Sequence, residues 1–180
     1  MTNHQRPTFN AEEAAEIAAL NPPAPILPEV FIGYSGPKGK TIAMEMIGCL
    51  EANEFKAAVP IPGRPEFEAI LEDENKIMDR ALLCQASVMV CNRRKYSPKF
   101  FLEIQFLLDN SPNPLISLVQ NGSYVPPVLS VKRRVKFQQG EHLESCRELV
   151  DVLNAKMGRV QLARESDVLA EVVLPQESEP

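Results

Sequence analysis

Four short runs are apolar at nearly every position: Val30–Ile32, Ala57–Ile61, Val88–Cys91 and Leu115–Val119. A strand with one wet face alternates apolar and polar residues. A run with no alternation belongs to a strand covered on both faces, which is the habit of parallel sheets. Each gap between runs carries a helical pattern, so the chain predicts strands joined by helical crossovers, with Val30–Ile32 central among the early strands. The second strand spans Phe55 to Ile61, and a shorter fifth lies around Val135 to Gln138. The helices expected are Thr41–Glu54 on Ile42, Met46, Ile47 and Leu50, and one long helix within Pro65–Leu83 on Phe67, Ile70, Ile77 and Ala81. A third follows Pro98, and a fourth spans Glu141–Met157 on Leu143, Cys146, Val150 and Leu153. Open parallel sheets bind ligands beyond the carboxyl ends of their strands. Three loops gather at that edge: 34–40, 60–64 and 92–97.

The core of this arrangement spans residues 28–157. Before it, residues 1–27 read as an arm: a helix from Ala11 to Leu20 capped by Asn10, then a stiff Asn21-Pro-Pro-Ala-Pro linker. After it, residues 158–180 weaken into an acidic tail. A net charge of -5 argues against a nucleic-acid groove, and Lys132-Arg133-Arg134 reads as a solvated loop edge. No run of about 18 apolar residues predicts a membrane span, and the N-terminus lacks a signal peptide's apolar core. Cys49, Cys84, Cys91 and Cys146 have no C-x-x-C spacing and sit in apolar segments. They read as reduced core thiols, so the expected location is cytoplasmic. Only His4 and His142 are present, which leaves zinc sites and histidine-based nucleophilic catalysis without support.

Within the third helix, Ser97 stands at the N-cap and Pro98 at the first helical position, where its missing N–H costs nothing. The helix is apolar over most of its surface, with Phe100, Phe101, Ile104, Leu107 and Leu108 as the main stripe and Leu102 and Phe106 on the other side. Glu103 is flanked by Phe100, Phe106 and Leu107. A carboxylate in such company is paired, hydrated in a cleft, or functional, and the plain alternative is a solvent-facing helix residue.

Gly33-Tyr-Ser-Gly-Pro-Lys-Gly-Lys-Thr41 invites comparison with a phosphate-binding P-loop. That motif requires glycine where this chain has Tyr34, and neither later apolar strand ends in an aspartate for magnesium. A glycine-rich strand-to-helix turn with a basic rim accounts for the segment.

Other residues fit a different pattern. Val30-Phe-Ile-Gly-Tyr-Ser resembles the first strand of Toll/interleukin-1 receptor (TIR) domains, and Pro62-Gly63 resembles the Pro-Gly of the TIR loop after the second strand. Ser97 and Glu103 match the TIR serine-to-glutamate spacing at the third helix. The motifs occur in family order over roughly residues 29–157. The Trp-Cys usual between that serine and glutamate is here Lys99-Phe100. The resemblance implies a flavodoxin-like α/β fold, with a five-stranded parallel sheet and helices on both faces. For bacterial NAD-cleaving members it implies that Glu103 is the catalytic carboxylate, acting without a metal or other cofactor on NAD+ as substrate. Gly33, Tyr34, Ser35 and Gly36 would then line the floor, Arg64 would face a phosphate, and Tyr96 and Ser97 would wall the ribose. It also implies self-association through TIR–TIR contacts, a sensor or effector partner, and a role in bacterial antiviral defence or signalling. Two alternatives remain beside it: a non-catalytic TIR-like adaptor, and a nucleoside deoxyribosyltransferase-like enzyme, for which Gly36-Pro37 is a partial match.

Overall fold

Each apolar run becomes a strand because only a strand buried on both faces can use it. The computed structural model describes residues 26–130, 132–138 and 140–158. The helix expected at residues 11–20 and the tail beyond 158 lie outside them. The elements are β1 (Glu29–Gly33), α1 (Gly36–Glu51), β2 (Lys56–Ala58), α2 (Pro65–Glu68), α3 (Glu74–Leu82), β3 (Ala86–Cys91), α4 (Pro98–Asn110), β4 (Leu115–Gln120), α5 (Pro127–Ser130), β5 (Arg133–Phe137) and α6 (His142–Lys156). The sheet has five strands in the order β2-β1-β3-β4-β5. All four pairings are parallel, in a register that sets Ile32 beside Val88, Val88 beside Ile116 and Leu118 beside Val135. This is the flavodoxin-like α/β architecture expected, with β1 between β2 and β3.

Alternate side chains of each strand feed two separate cores. Val30, Ile32, Val88, Val90, Ile116 and Leu118 pack with Ile42, Met46 and Leu50 of α1 and Leu149, Val152 and Leu153 of α6. Phe31, Met89 and Cys91 point to the other face, onto Phe67, Met78, Ala81, Phe100, Ile104 and Leu107. Every residue of β3, the middle strand, is buried.

Four local expectations change. Helix α1 begins at Gly36 rather than Thr41, because Pro37 is preset for a first helical turn. Strand β2 is shorter than Phe55–Ile61. The single helix expected within 65–83 is two, α2 and α3. Asp73 starts the second by accepting a hydrogen bond from the Lys76 N–H at 3.2 Å, so the acidic stretch is where the helix breaks, with Glu72, Glu74, Asn75 and Lys76 exposed. In α6 the buried stripe is Leu149, Val150, Val152 and Leu153, while Leu143 is 77% exposed. Leu102 of α4 also faces outward.

The cysteines are the larger correction. Cys49 of α1 and Cys146 of α6 form a disulfide, with Cα atoms 5.9 Å apart, while Cys84 and Cys91 are free and buried. A separation of 97 residues left no local trace of the pairing, because only the packing of α1 against α6 brings the two thiols together. The compartment inferred from four reduced thiols therefore loses that support. Among the described residues no helix is long and apolar enough to cross a membrane.

The disulfide closes a long loop and restricts the unfolded chain. Replacing both Cys49 and Cys146 by Ser is expected to lower stability by about 2–4 kcal/mol. Thermal unfolding with and without dithiothreitol checks this: the reductant lowers the melting temperature of the parent and leaves the double variant unchanged.

Candidate active site

The parallel pairing of β1 with β3 puts their carboxyl ends at one edge of the sheet, with Gly33 beside Met89 and β3 running two residues further, to Cys91. Beyond that edge the chain leaves β1 into α1, and leaves β3 through residues 92–97 into α4. The space between them is a cavity of about 310 Å³. Gly33, Tyr34, Ser35 and Gly36 form one wall, and Ser97, Lys99, Phe100 and Glu103 form the facing one. Glu74, Ile77 and Met78 of α3 close a third side, and Phe31 contributes from the sheet. Six of the eight residues singled out from the sequence meet here: Gly33, Tyr34, Ser35, Gly36, Ser97 and Glu103.

Glu103 is half-buried. Its apolar surroundings raise its carboxyl above the ordinary range, Lys99 one turn earlier pulls the other way, and the Glu74 charge adds to the rise. Lys99 is itself engaged by Glu74 in an ion pair that joins the start of α4 to the start of α3. Among the described residues Glu103 has no hydrogen-bond or ion-pair partner, so its oxygens are left for whatever enters the cavity.

The other walls are held in place. The Tyr34 hydroxyl donates to the Pro60 carbonyl oxygen at 2.9 Å, tying the exit of β1 to that of β2, and burial raises its phenol pKa. Ser97 caps α4 by accepting from the Phe100 N–H at 3.4 Å, and its O–H remains a donor. Ser35 occupies the N-cap of α1, yet its side chain makes no capping hydrogen bond.

Two expected site residues do not line the cavity. Both terminal nitrogens of Arg64 donate to Glu51 Oε1 at 3.0 Å, binding the turn after β2 to the last turn of α1. Its charge is thus paired with Glu51 away from the cavity lining. Tyr96 stacks on Phe100, with ring centroids 4.5 Å apart, and its hydroxyl oxygen accepts from the Arg93 N–H at 2.9 Å. Burial pushes its phenol to about 12, and the residue clamps the 92–97 loop from behind. The P-loop comparison also ends here. Lys40 and Thr41 lie inside α1, with Thr41 Oγ1 donating to the Pro37 carbonyl oxygen at 3.2 Å, so no separate nest precedes the helix.

The α3 side of the cavity has no counterpart in the sequence pattern, where one helix over 65–83 hides the break before Asp73. The sequence places the 92–97 loop at the ligand edge of the sheet but singles out neither Asn92 nor Arg93 within it.

A carboxylate raised by burial, unpaired, and set among Phe31, Phe100 and Met78 can stabilise a cation developing in front of it or move a proton. No family model matches the chain, and no curated protein matches it in sequence. Among solved structures, a CMP N-glycosidase of Clostridium botulinum is similar over 67% of this chain and 97% of its own, at 14% identity and a TM-score of 0.45. A flavoprotein of Thermotoga maritima is similar over 74% of this chain and 37% of its own, at 14% identity and a TM-score of 0.48. The sugar isomerase domain of an RpiR transcription factor from Sphaerobacter thermophilus covers 83% of this chain and 82% of its own, at 14% identity and a TM-score of 0.45. Likeness of this order speaks to the layered α/β framework at most, and not to activity.

Proposed function

We propose that the chain cleaves an N-glycosidic bond in a nucleotide, with NAD+ as the substrate, nicotinamide as the leaving group and Glu103 as the catalytic carboxylate. The observation that carries this is the unpartnered, half-buried carboxylate of Glu103 in a cavity at the carboxyl edge of the sheet. A cavity of about 310 Å³ stands at the small end of ligand sites, which run from about 300 to 1,000 Å³. It suits a nucleoside-sized half of a dinucleotide, with the adenylate half projecting past Gly36.

In the reaction the bond between ribose C1′ and the pyridinium nitrogen breaks. Its electron pair leaves with the ring, so nicotinamide departs neutral and positive charge moves to C1′ and the ring oxygen. The Glu103 carboxylate faces that charge in a setting of lowered dielectric, where its attraction exceeds what water would allow. Water then adds to C1′ and releases a proton, which gives ADP-ribose. Attack by a ring nitrogen of the adenine in place of water gives the cyclised isomer. Tyr34 and Ser97 shape the ribose side, and Ser35 offers its uncommitted hydroxyl.

Assembly belongs to the same proposal. Pro62-Gly63 forms an exposed turn after β2, and Gly63 has φ +83 with open space around it. Valine strains that backbone, so Gly63→Val is expected to reduce self-association and activity together. Specific activity that stays constant over a wide concentration range in the parent would instead show a complete pocket in one chain.

Glu103→Gln keeps the shape of the side chain and removes its charge. It is expected to lower NAD+ turnover by about a hundredfold or more, with binding affected far less. Mass spectrometry of products from NAD+, with and without a crowding agent, checks this. Turnover at the parent rate in the variant removes the catalytic role of Glu103. Nucleosides cleaved in place of NAD+ favour the deoxyribosyltransferase-like reading, and no turnover of either under any assembly condition favours the adaptor.

The same variant has a signature in stability. The folded state raises the Glu103 pKa, so folding favours the protonated form. Below the unfolded-state pKa both states are protonated and no penalty exists; as pH rises through the folded value the parent loses stability. Glu103→Gln is therefore expected to melt above the parent at pH 7. The gap should close in acid, as a pair of pH–melting curves would show.

A further inference from the structure

Asn92 and Arg93 leave β3 and lie directly against the first turn of α1. A Cβ on Gly36 would sit 1.6 Å from an Arg93 guanidinium nitrogen, and one on Gly39 would sit 3.3 Å from Asn92 Oδ1. Three residues apart, Gly36 and Gly39 open one face of the helix to these two side chains. Gly36 also has φ +69, a conformation that resists any other residue.

Arg93 is exposed, yet its position is fixed. Its main chain is pinned on both sides, the N–H donating to the Tyr96 hydroxyl at 2.9 Å and the carbonyl accepting from the Tyr124 N–H at 2.8 Å. Its guanidinium has no carboxylate partner among the described residues, and it rests at the positive end of a 16-residue helix with no acidic residue in its first turn. Lys38 and Lys40 add charge of the same sign in that turn. A cation held at a helix N-terminus without a counter-charge is unfavourable until an anion arrives.

An independent observation points the same way. Asn92 is 8% exposed, and both its Oδ1 and Nδ2 are buried without a hydrogen-bond partner. Native proteins rarely leave a buried amide unsatisfied, and such groups mark places where a partner is missing. Pro37 has no N–H to give, while the other amides opening α1 have no intrahelical acceptor. A guanidinium fork, a side-chain amide and a helix N-terminus together match a phosphate group.

We propose that Arg93, Asn92 and the first turn of α1 bind a phosphate of the substrate, which makes the substrate class a nucleotide rather than a free nucleoside. Gly36 belongs both to this cluster and to the wall of the Glu103 cavity, so a phosphate here continues from a ribose held there. The identity of the substrate rests on the N-glycosidase reading; the anion site itself does not.

Calorimetric titration of the full chain with inorganic pyrophosphate separates the two. The parent is expected to bind, Arg93→Ala to weaken binding by about tenfold to a hundredfold, and Arg93→Lys to fall between them. Asn92→Leu should also weaken binding while raising the melting temperature, because it removes the unsatisfied amide and keeps the volume. In turnover, Arg93→Ala should raise KM for NAD+ more than it lowers kcat. Its preference for NAD+ over nicotinamide riboside, taken as kcat/KM, should fall by the same factor as pyrophosphate affinity. No binding of pyrophosphate by the parent, or equal binding by parent and Arg93→Ala, overturns the site. Pyrophosphate binding that depends on Arg93, without any NAD+ turnover, keeps the site and removes the glycosidase reading. Turnover of NAD+ with KM untouched by Arg93→Ala does the reverse.

Discussion

The parallel pairing of β1 with β3 is the constraint on which the rest depends. Two neighbouring parallel strands must release their chains at the same edge of the sheet, and here β3 leaves two residues past the point where Gly33 ends β1 beside Met89. Both exits turn at once into helices, α1 after two residues and α4 after six. The gap they leave cannot close, because the helices pack on opposite faces, α1 with the Ile32 and Val88 layer and α4 with the Phe31 and Met89 layer. A cavity at this edge is therefore a consequence of topology, and its chemistry comes from the side chains that happen to face it.

The two helices bring opposite electrostatics to that gap. Helix α1 opens with glycine, proline and lysines and points its positive end at the cavity. Helix α4 buries three of its apolar residues, Phe100, Ile104 and Leu107, and carries one carboxylate, Glu103, on its cavity side. A phosphorylated ribosyl substrate has the matching polarity: an anion at one end and, during bond cleavage, a cation at the other. Neither side is stable by itself, since Asn92 is unsatisfied and Glu103 is held where burial disfavours its charge. Sites that bind charge are often built from groups whose interactions remain incomplete until the ligand arrives.

The sheet was legible because burial on both faces leaves its mark in every residue of a strand. Val88–Cys91 and Leu115–Val119 could hardly be anything else, and the first turn of α4 was legible from Ser97 and Pro98. Legibility failed where the deciding partner lies far along the chain. Asp73 as a cap was hidden within a run of acidic residues that also suits an exposed helix face. Cys49 carries no sign of Cys146, and Arg64 carries no sign that Glu51 waits on the preceding helix. The site was legible on the Glu103 side, where an isolated carboxylate among phenylalanines contradicts its surroundings. It was not legible at Arg93, because a surface arginine in a loop contradicts nothing until Gly36 is seen beneath it.

These long-range ties share an object, and that object is α1. Its last turns are fastened by the Cys49–Cys146 disulfide to α6 and by Glu51 to Arg64 after β2. Its first turn is packed under Asn92 and Arg93, whose main chain is in turn pinned through Tyr96 and Tyr124. A helix fixed at both ends can present its N-terminal amides at a set position without reorganising when a ligand arrives, which is the condition for electrostatic stabilisation to act at full strength. Arg64 and the disulfide touch nothing in the cavity; they fasten the far end of the helix whose first residue lies in the wall opposite Glu103.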